Sequence, residues 1–307
     1  MNARKAAAPA AGMAEDEAVR DRVIRPGGTI GILGGGQLGR MMALSAATLG
    51  YRCHVYDPDP LAPAAHVSAK HHCNDFDNKR ALAHFAREVD VVTLEFENVP
   101  QASLDYLAGK LPVRPGASVL GITQDRLTEK DFVRAQGIPT ARYAAVDSAA
   151  DLKAALRETG LPAILKTRRM GYDGKGQALV ESERDAHEAL AAFGGGGCIL
   201  EARVQLRTEI SVIVARGVDG RLVAYVPVEN LHQDGILVRT VVPARIPTPI
   251  GQAATAMAVR ILTSNEQPPC LANKAYGLPS IDARRPGGML VHAPSSASSR
   301  PKTAGTE

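Results

Sequence analysis

The stretch LPAILKTRRMGYDGKGQALVE, Leu161 to Glu181, decides how this chain folds. A strand-like apolar run ends on Lys166, and a second one, GQALVE, begins after a loop crowded with glycine. Between them Gly171, Tyr172, Asp173, Gly174, Lys175, Gly176 and Gln177 combine small residues with charge. Glycine lets main-chain amides approach ligand oxygens closely, and Lys166 and Lys175 offset negative charge, so the segment reads as a flap over phosphates carried on a hairpin. The spacing is not G-x-x-x-x-G-K-[ST], which excludes a P-loop. A plain hairpin loop is the alternative.

Downstream, a helix over Glu183–Phe193 leads through Gly194–Gly197 to the strands CILEARV and EISVIVARG. Asp219-Gly220 then joins EISVIVARG to RLVAYVPVEN as a hairpin. Glu201, closing CILE, and Glu209 are placed to accept hydrogen bonds from ribose hydroxyls, each contributing about 1.5–3 kcal/mol when the acceptor is charged; both read otherwise as solvated strand-end charges. His232, in VENLHQDGIL, falls on a polar loop after a strand, where a core histidine is not expected. Upstream of the flap lie a charged helix over Gln124–Gln136, the strand RYAAV and a helix over Ser148–Glu158. Arg126 and Lys130, one turn apart on the first of these helices, are either ligand contacts or a solvated basic face. Together these segments predict a mixed α+β domain.

The N-terminal third follows another plan. TIGIL (Thr29–Leu33) runs into GGGQLG and then a helix, and the strands YRCHVYD and DVVTLEF (Asp90–Phe96) alternate with short Ala-rich helices, which implies a parallel sheet. Gly34, Gly36 and Gly39 satisfy G-x-G-x-x-G, with Asp57 closing the next strand. The physical content is an anion held by amides at a helix N-terminus.

Composition narrows the function classes. The chain has 307 residues, enough for two domains, and no apolar run of the roughly 20 residues that would span a bilayer. Its net charge of +4 is scattered and aromatic residues make up only 4%, which argues against a nucleic-acid surface. Cys53, Cys73, Cys198 and Cys270 show no CxxC spacing, which argues against a zinc site and a disulfide framework and points to a reducing cytoplasm. Residues 1–28 lack a signal peptide's apolar core and are expected to be a disordered extension. Residues 263–307, dense in Pro, Ser and Gly, are expected to be a disordered tail.

Five motifs in order, GILGGGQLGRMM, LEFENVP, DRLTEKDF, GYDGKGQ and VENLHQDGIL, resemble the 5-(carboxyamino)imidazole ribonucleotide synthases of the ATP-grasp superfamily over Thr29–Ile261. The resemblance implies an α/β protein: a Rossmann-like pre-ATP-grasp domain (29–122) followed by an α+β ATP-grasp domain (123–262), incomplete at its C-terminal end. It implies ATP with Mg²⁺, bicarbonate and aminoimidazole ribonucleotide as reactants, purine synthesis as the setting, and a cytoplasmic homodimer. Bicarbonate is a poor electrophile, and ATP activates it as carboxyphosphate for attack by the ribonucleotide's exocyclic amine. Lys166 and Lys175 then serve as the catalytic cations, stabilising charge on the transferring phosphoryl group.

The same resemblance assigns ATP to Arg126, Lys166, the loop Gly171, Tyr172, Asp173, Gly174, Lys175, Gly176 and Gln177, the adenine hinge Glu201, Ala202, Arg203 and Val204, the ribose acid Glu209, and His232. It assigns the ribonucleotide to Gln37, Leu38 and Glu95, with Tyr172 and Asp173 from the flap, so the first glycine-rich turn serves that substrate and not a dinucleotide. The family's two late magnesium-binding acids are less well matched: the first has no counterpart, and Glu266 of Asn265-Glu266 is the candidate for the second. A truncated or frameshifted nucleotide-binding remnant is therefore the alternative function. A glycinamide ribonucleotide enzyme and a nicotinamide oxidoreductase rank below it.

Overall fold

The computed structural model describes residues 23–171, 176–217, 219–233, 236–263 and 271–272. Chain contacts divide it into two compact units, one formed mainly by residues up to Leu120 and the other mainly by residues from Gly121 onward.

The first unit is built on a four-stranded sheet: β1 (Thr29–Leu33), β2 (Arg52–Tyr56), β3 (Lys70–His72) and β4 (Val91–Leu94). The strand order is β3-β2-β1-β4 and every pairing is parallel, as the alternation of strands and helices predicts. The crossover helices are α1 (Gln37–Thr48) between β1 and β2 and α2 (Lys79–Ala86) between β3 and β4, with α3 (Gln101–Ala108) following β4. Successive side chains alternate faces, so Ile32, Cys53 and Val55 pack beneath Ala43 on one side. Leu33, Tyr56 and Val92 pack with Leu82, Phe85, Leu104 and Leu107 on the other. Two features differ from the sequence reading: β3 was not expected, and DVVTLEF keeps strand geometry only over Val91–Leu94.

A short helix, α4 (Ala117–Thr123), leads to α5 (Arg126–Ala135), whose first turn is capped by the Asp125 carboxylate accepting from the amides of Leu127 and Thr128. The second unit's main sheet contains β5 (Tyr143–Val146), β6 (Ala163–Thr167), β7 (Gln177–Val180) and β8 (Cys198–Ala202), in the order β5-β8-β6-β7 with all neighbours antiparallel. Helices α6 (Leu152–Thr159) and α7 (Glu183–Ala192) bury Leu152, Ala155, Ala186 and Leu190 against Leu165, Val180 and Leu200 of that sheet. A capping box between Ser182 and Asp185 starts α7.

Beyond β8 the chain departs from expectation. EISVIVARG is two short strands, β9 (Glu209–Ser211) and β10 (Val214–Arg216), in different sheets. RLVAYVPVEN is likewise divided into β11 (Leu222–Ala224) and the start of β12 (Val228–Gln233). The Asp219-Gly220 hairpin does join β10 to β11. RLVAYVPVEN breaks at Pro227, which has no amide to donate to a ladder, and EISVIVARG divides because its first half pairs with β12 and its second with β11. β12 pairs antiparallel with β9 and with β13 (Ile236–Val241). Helix α8 (Thr248–Thr263) was not expected, and the two-residue β14 (Leu271–Ala272) pairs with β10 inside the stretch expected to be disordered. No helix among the described residues is long and apolar enough to cross a membrane.

Candidate functional site

Pleat parity assembles the site. Leu165 and Leu200 point into the second unit's core, so their neighbours Lys166 and Glu201 must point to the other face. In the β6–β8 register Ile164 pairs with Glu201, and in the β5–β8 register Tyr143 pairs with Glu201. Lys166, Glu201 and Tyr143 thus share one face, and α5 supplies Lys130, Asp131 and Arg134 to it.

The Lys166 ammonium lies 3.1 Å from Glu201 Oε2, and Lys130 Nζ approaches the same oxygen at 3.3 Å. Lys166 is 0% and Glu201 1% exposed, so one carboxylate balances two cations out of water. Burial pushes the Lys166 ammonium down to about 8; Glu201 opposes that shift, and the charges of Lys130 and Arg126 add to it. Lys130 also sits 5.5 Å above the Tyr143 ring, while Arg134 stacks on that ring at 4.1 Å. The Tyr143 hydroxyl donates to Asp131 at 2.7 Å, and burial with that bond raises its pKa.

Two expectations are corrected here. Glu201 is not a solvated acceptor for ribose hydroxyls, because its carboxylate is buried against two ammonium groups. Lys130 is not on a solvated basic face, being 3% exposed. The signal for Lys130 was present: it lies one turn from the buried Val133, on the inward side of α5.

Arg126 braces the base of the glycine-rich flap. Its Nε donates to the Thr167 carbonyl at 3.1 Å, its Nη2 to the Gly171 carbonyl at 3.0 Å, and its amide to the Arg168 carbonyl at 2.9 Å. Arg168 grips Asp125 with Nε 3.0 Å from Oδ2, and Arg169 donates to Gln124 Oε1 at 2.7 Å. The Arg168 contact holds the Asp125 carboxyl below its ordinary value despite the burial that raises it. On the far side of the flap the Thr167 amide donates to the Gly176 carbonyl at 2.8 Å, and Gly176 adopts φ +69°. A β-carbon there would stand 2.5 Å from Thr167 Oγ1, so only glycine fits. Met170 also has positive φ, 61°, which strains a residue with a side chain at the entrance to the flap. Gln177 opens β7 opposite Lys166. Tyr172, Asp173, Gly174 and Lys175 lie outside the described residues, as does the metal candidate Glu266.

Ala202 and Arg203, expected in the adenine hinge, donate their amides to the carbonyls of Arg142 at 2.8 Å and Pro162 at 3.0 Å, with half-buried Val204 following. Glu209 and His232 meet across the β9–β12 pairing, His232 Nδ1 standing 2.7 Å from Glu209 Oε2. His232 is in β12 rather than on a loop, at a bulge between Leu231 and His232 that re-aims its ring.

In the first unit the glycine-rich turn is already filled by the protein's own acids. The Gly35 amide donates to Asp57 Oδ2 at 2.7 Å and the Gly36 amide to Glu95 Oε2 at 3.3 Å. Burial raises the Glu95 carboxyl, while the amides of Gly36, Gly39 and Leu38 pull it the other way. Asp57 and Glu95 thus take the role expected of a ligand phosphate. Gln37 and Leu38 are exposed in the first turn of α1, and the Leu38 amide acts on the Glu95 carboxylate.

Comparison with known proteins agrees with this architecture. A family profile described as the ribonucleotide synthetase preATP-grasp domain matches residues 28–124, and one described as the ATP-grasp domain matches residues 131–267. The chain is 44% identical over 241 residues to the N5-carboxyaminoimidazole ribonucleotide synthase of Brucella melitensis, covering 78% of this chain and 67% of that protein. It is 43% identical over 247 residues to the bifunctional purine synthesis protein purC/E of Dictyostelium discoideum, covering 79% of this chain but 25% of that one. Among solved structures, an N5-carboxyaminoimidazole ribonucleotide synthetase in complex with ADP superposes with a TM-score of 0.81 at 39% identity, over 89% of this chain and 71% of its own. The Aspergillus clavatus synthase with ADP and aminoimidazole ribonucleotide gives 0.75 at 27% identity, over 87% and 69%. With a pre-ATP-grasp unit, an ATP-grasp unit and this degree of identity, the chain belongs to the N5-carboxyaminoimidazole ribonucleotide synthase family.

Proposed function

We propose that this chain couples ATP hydrolysis to carboxylation of aminoimidazole ribonucleotide by bicarbonate, releasing the N-carboxylated ribonucleotide, ADP and phosphate in purine biosynthesis. The observation that carries the reading is the buried Lys166–Glu201–Lys130 cluster beside the braced base of the glycine-rich flap. Lys166 and Lys130, both within 3.3 Å of one Glu201 oxygen, concentrate positive charge on this face, which favours a polyanionic phosphate tail. Lys166 keeps its proton at pH 7, since its pKa is about 8. It therefore offsets the charge that develops on the phosphoryl group during transfer. Arg126 holds the base of the flap at the carbonyls of Thr167 and Gly171. Lys175 and the flap residues Tyr172, Asp173 and Gly174 complete the proposed phosphate contacts.

Glu209, oriented by His232, is assigned to the ribose, and the segment Glu201–Val204 to the adenine. Gln37, Leu38 and Glu95 are assigned to the ribonucleotide, joined by Tyr172 and Asp173. Burial raises the Glu95 carboxyl while the amides of Gly36, Gly39 and Leu38 hold it in place at the turn. ATP-grasp enzymes use Mg²⁺ with ATP, and that ion supplies charge neutralisation between the phosphates when bound; Glu266 is the residue proposed to hold it. Domain boundaries at 29–122 and 123–262 are part of the same reading. So are a homodimer and a cytoplasmic location.

The test is ADP release by the purified chain with ATP, bicarbonate and each ribonucleotide in turn. Release that requires both bicarbonate and aminoimidazole ribonucleotide supports the proposal. Release driven by glycinamide ribonucleotide, or ADP binding with no turnover under any combination, overturns it.

A further inference from the structure

The first unit contains a polar cluster that the synthase chemistry does not use. His54 on β2 and His72 on β3 converge on Glu88, just past α2. His72 Nε2 is 3.1 Å and His54 Nδ1 3.7 Å from the same oxygen, Glu88 Oε2, and His84 Nε2 is 3.3 Å from Oε1. His54 Nδ1 and His72 Nε2 are both shielded from solvent, and neither makes a hydrogen bond. A buried ring nitrogen without a partner costs about 1–3 kcal/mol, and here two of them point at one carboxylate.

We propose that His54, His72 and Glu88 form a binding site for a divalent transition-metal ion of the zinc type, with His84 or water in the fourth position. One ligand atom from each of the three residues lies within 4.8 Å of the others. A tetrahedral zinc ion with bonds of about 2.0–2.1 Å needs its ligand atoms roughly 3.3 Å apart, and the two His–Glu88 distances bracket that spacing. Imidazole donors select zinc, nickel or copper over magnesium, so the site is chemically distinct from any that serves ATP.

The surroundings favour a metal over a simple ion-pair network. The His72 ring packs edge-on to Phe85 at 5.1 Å and stacks near Tyr56 at 6.4 Å, which locks its orientation. Burial lowers the pKa of His54, and that of His72 to about 4, which favours the neutral ring whose lone pair a metal requires. Lys70 already balances Glu88, its ammonium lying 2.6 Å from Oε1 and 2.7 Å from Oε2. Neutral rings therefore add nothing to that charge balance. Lys70 is 43% exposed and free to swing into solvent, so it acts as a competitor that the metal displaces.

The experiment titrates chelator-treated full-length protein with Zn²⁺ by calorimetry and with Co²⁺ by visible absorption, in the absence of nucleotide. The expected result is one ion per chain, with the intense absorption of low-coordinate Co²⁺. Glu88→Gln and His54→Ala should weaken binding at least tenfold, and Lys70→Met should tighten it. X-ray absorption on the wild-type zinc complex should show two imidazoles and at least one carboxylate or water oxygen. Absence of stoichiometric binding, or wild-type affinity in a folded Glu88→Gln protein, overturns the assignment. If His54→Ala does not fold, the Glu88→Gln titration and the wild-type absorption spectrum decide. Synthase activity is not read in any arm, so the result is independent of the proposed function.

Discussion

Replacing Glu201 with Gln tests the centre of the site. The substitution keeps shape and removes one negative charge that lies 3.1 Å from Lys166 and 3.3 Å from Lys130. At an effective dielectric constant near 20, each attraction is worth about 5 kcal/mol before desolvation is counted. Most of that offsets the cost of burying the ions, so the measurable loss is what remains when a buried pair is broken, about 3–5 kcal/mol. For a chain of this size, that corresponds to a fall in Tm of roughly 6–20 °C. Thermal melting followed by circular dichroism, with urea titration at pH 7, gives both numbers. Lys130→Met is the control: it removes one of the two cations, leaves the Lys166 pair intact and fills the same space with an apolar chain, so its cost should stay below about 1.5 kcal/mol. The double variant should be less destabilised than the sum of the singles, with a coupling of about 0.5–3 kcal/mol. A Glu201→Gln protein that melts within 2 °C of wild type, roughly the effect of a surface substitution, would show that the carboxylate is not balancing buried cations.

Gly176→Ala should cost about 1–2 kcal/mol, because φ +69° and the close Thr167 hydroxyl both disfavour a side chain, and the KM for ATP in the ADP-release assay should rise. Glu209→Gln and His232→Gln should each weaken ADP binding about tenfold or more by calorimetry without changing Tm beyond 2–4 °C, since both groups are only partly buried. Unequal effects, with His232→Gln silent, would mean that the histidine does not orient the acid. Lys166 makes stability depend on pH in a defined direction: its folded pKa of about 8 lies below the unfolded value near 10.5. Between those values the unfolded chain binds the extra proton, so unfolding free energy should rise with pH across that window, and Lys166→Met should abolish the rise in the urea midpoint.

Much of this molecule is decided locally. The apolar run Thr29–Leu33 ending at the positive-φ Gly34, and the paired runs around the flap, read as strands from the sequence because apolar β-formers bounded by glycine favour a buried strand closed by a turn. The order of motifs was enough to place the chain in its family. What side chains face, and which groups pair, depends on neighbours remote in sequence. Glu201 looks like a strand-end acid until the pleat of β8 turns it inward between two lysines. Gly35 and Gly36 look ready for a phosphate until Asp57 and Glu95, arriving on other strands, take their amides. Pro227 marks the break between β11 and β12 in the sequence itself, whereas the division of EISVIVARG depends on its partners β12 and β11, which lie later in the chain. His54, His72 and Glu88 follow no local spacing rule, and only the parallel pairing of β2 with β3 and the crossover through α2 bring them to one point. Propensity and spacing act over a few residues and so determine elements and motifs from sequence alone; charge balance and desolvation are properties of a packed interior, which exists only once those elements have come together.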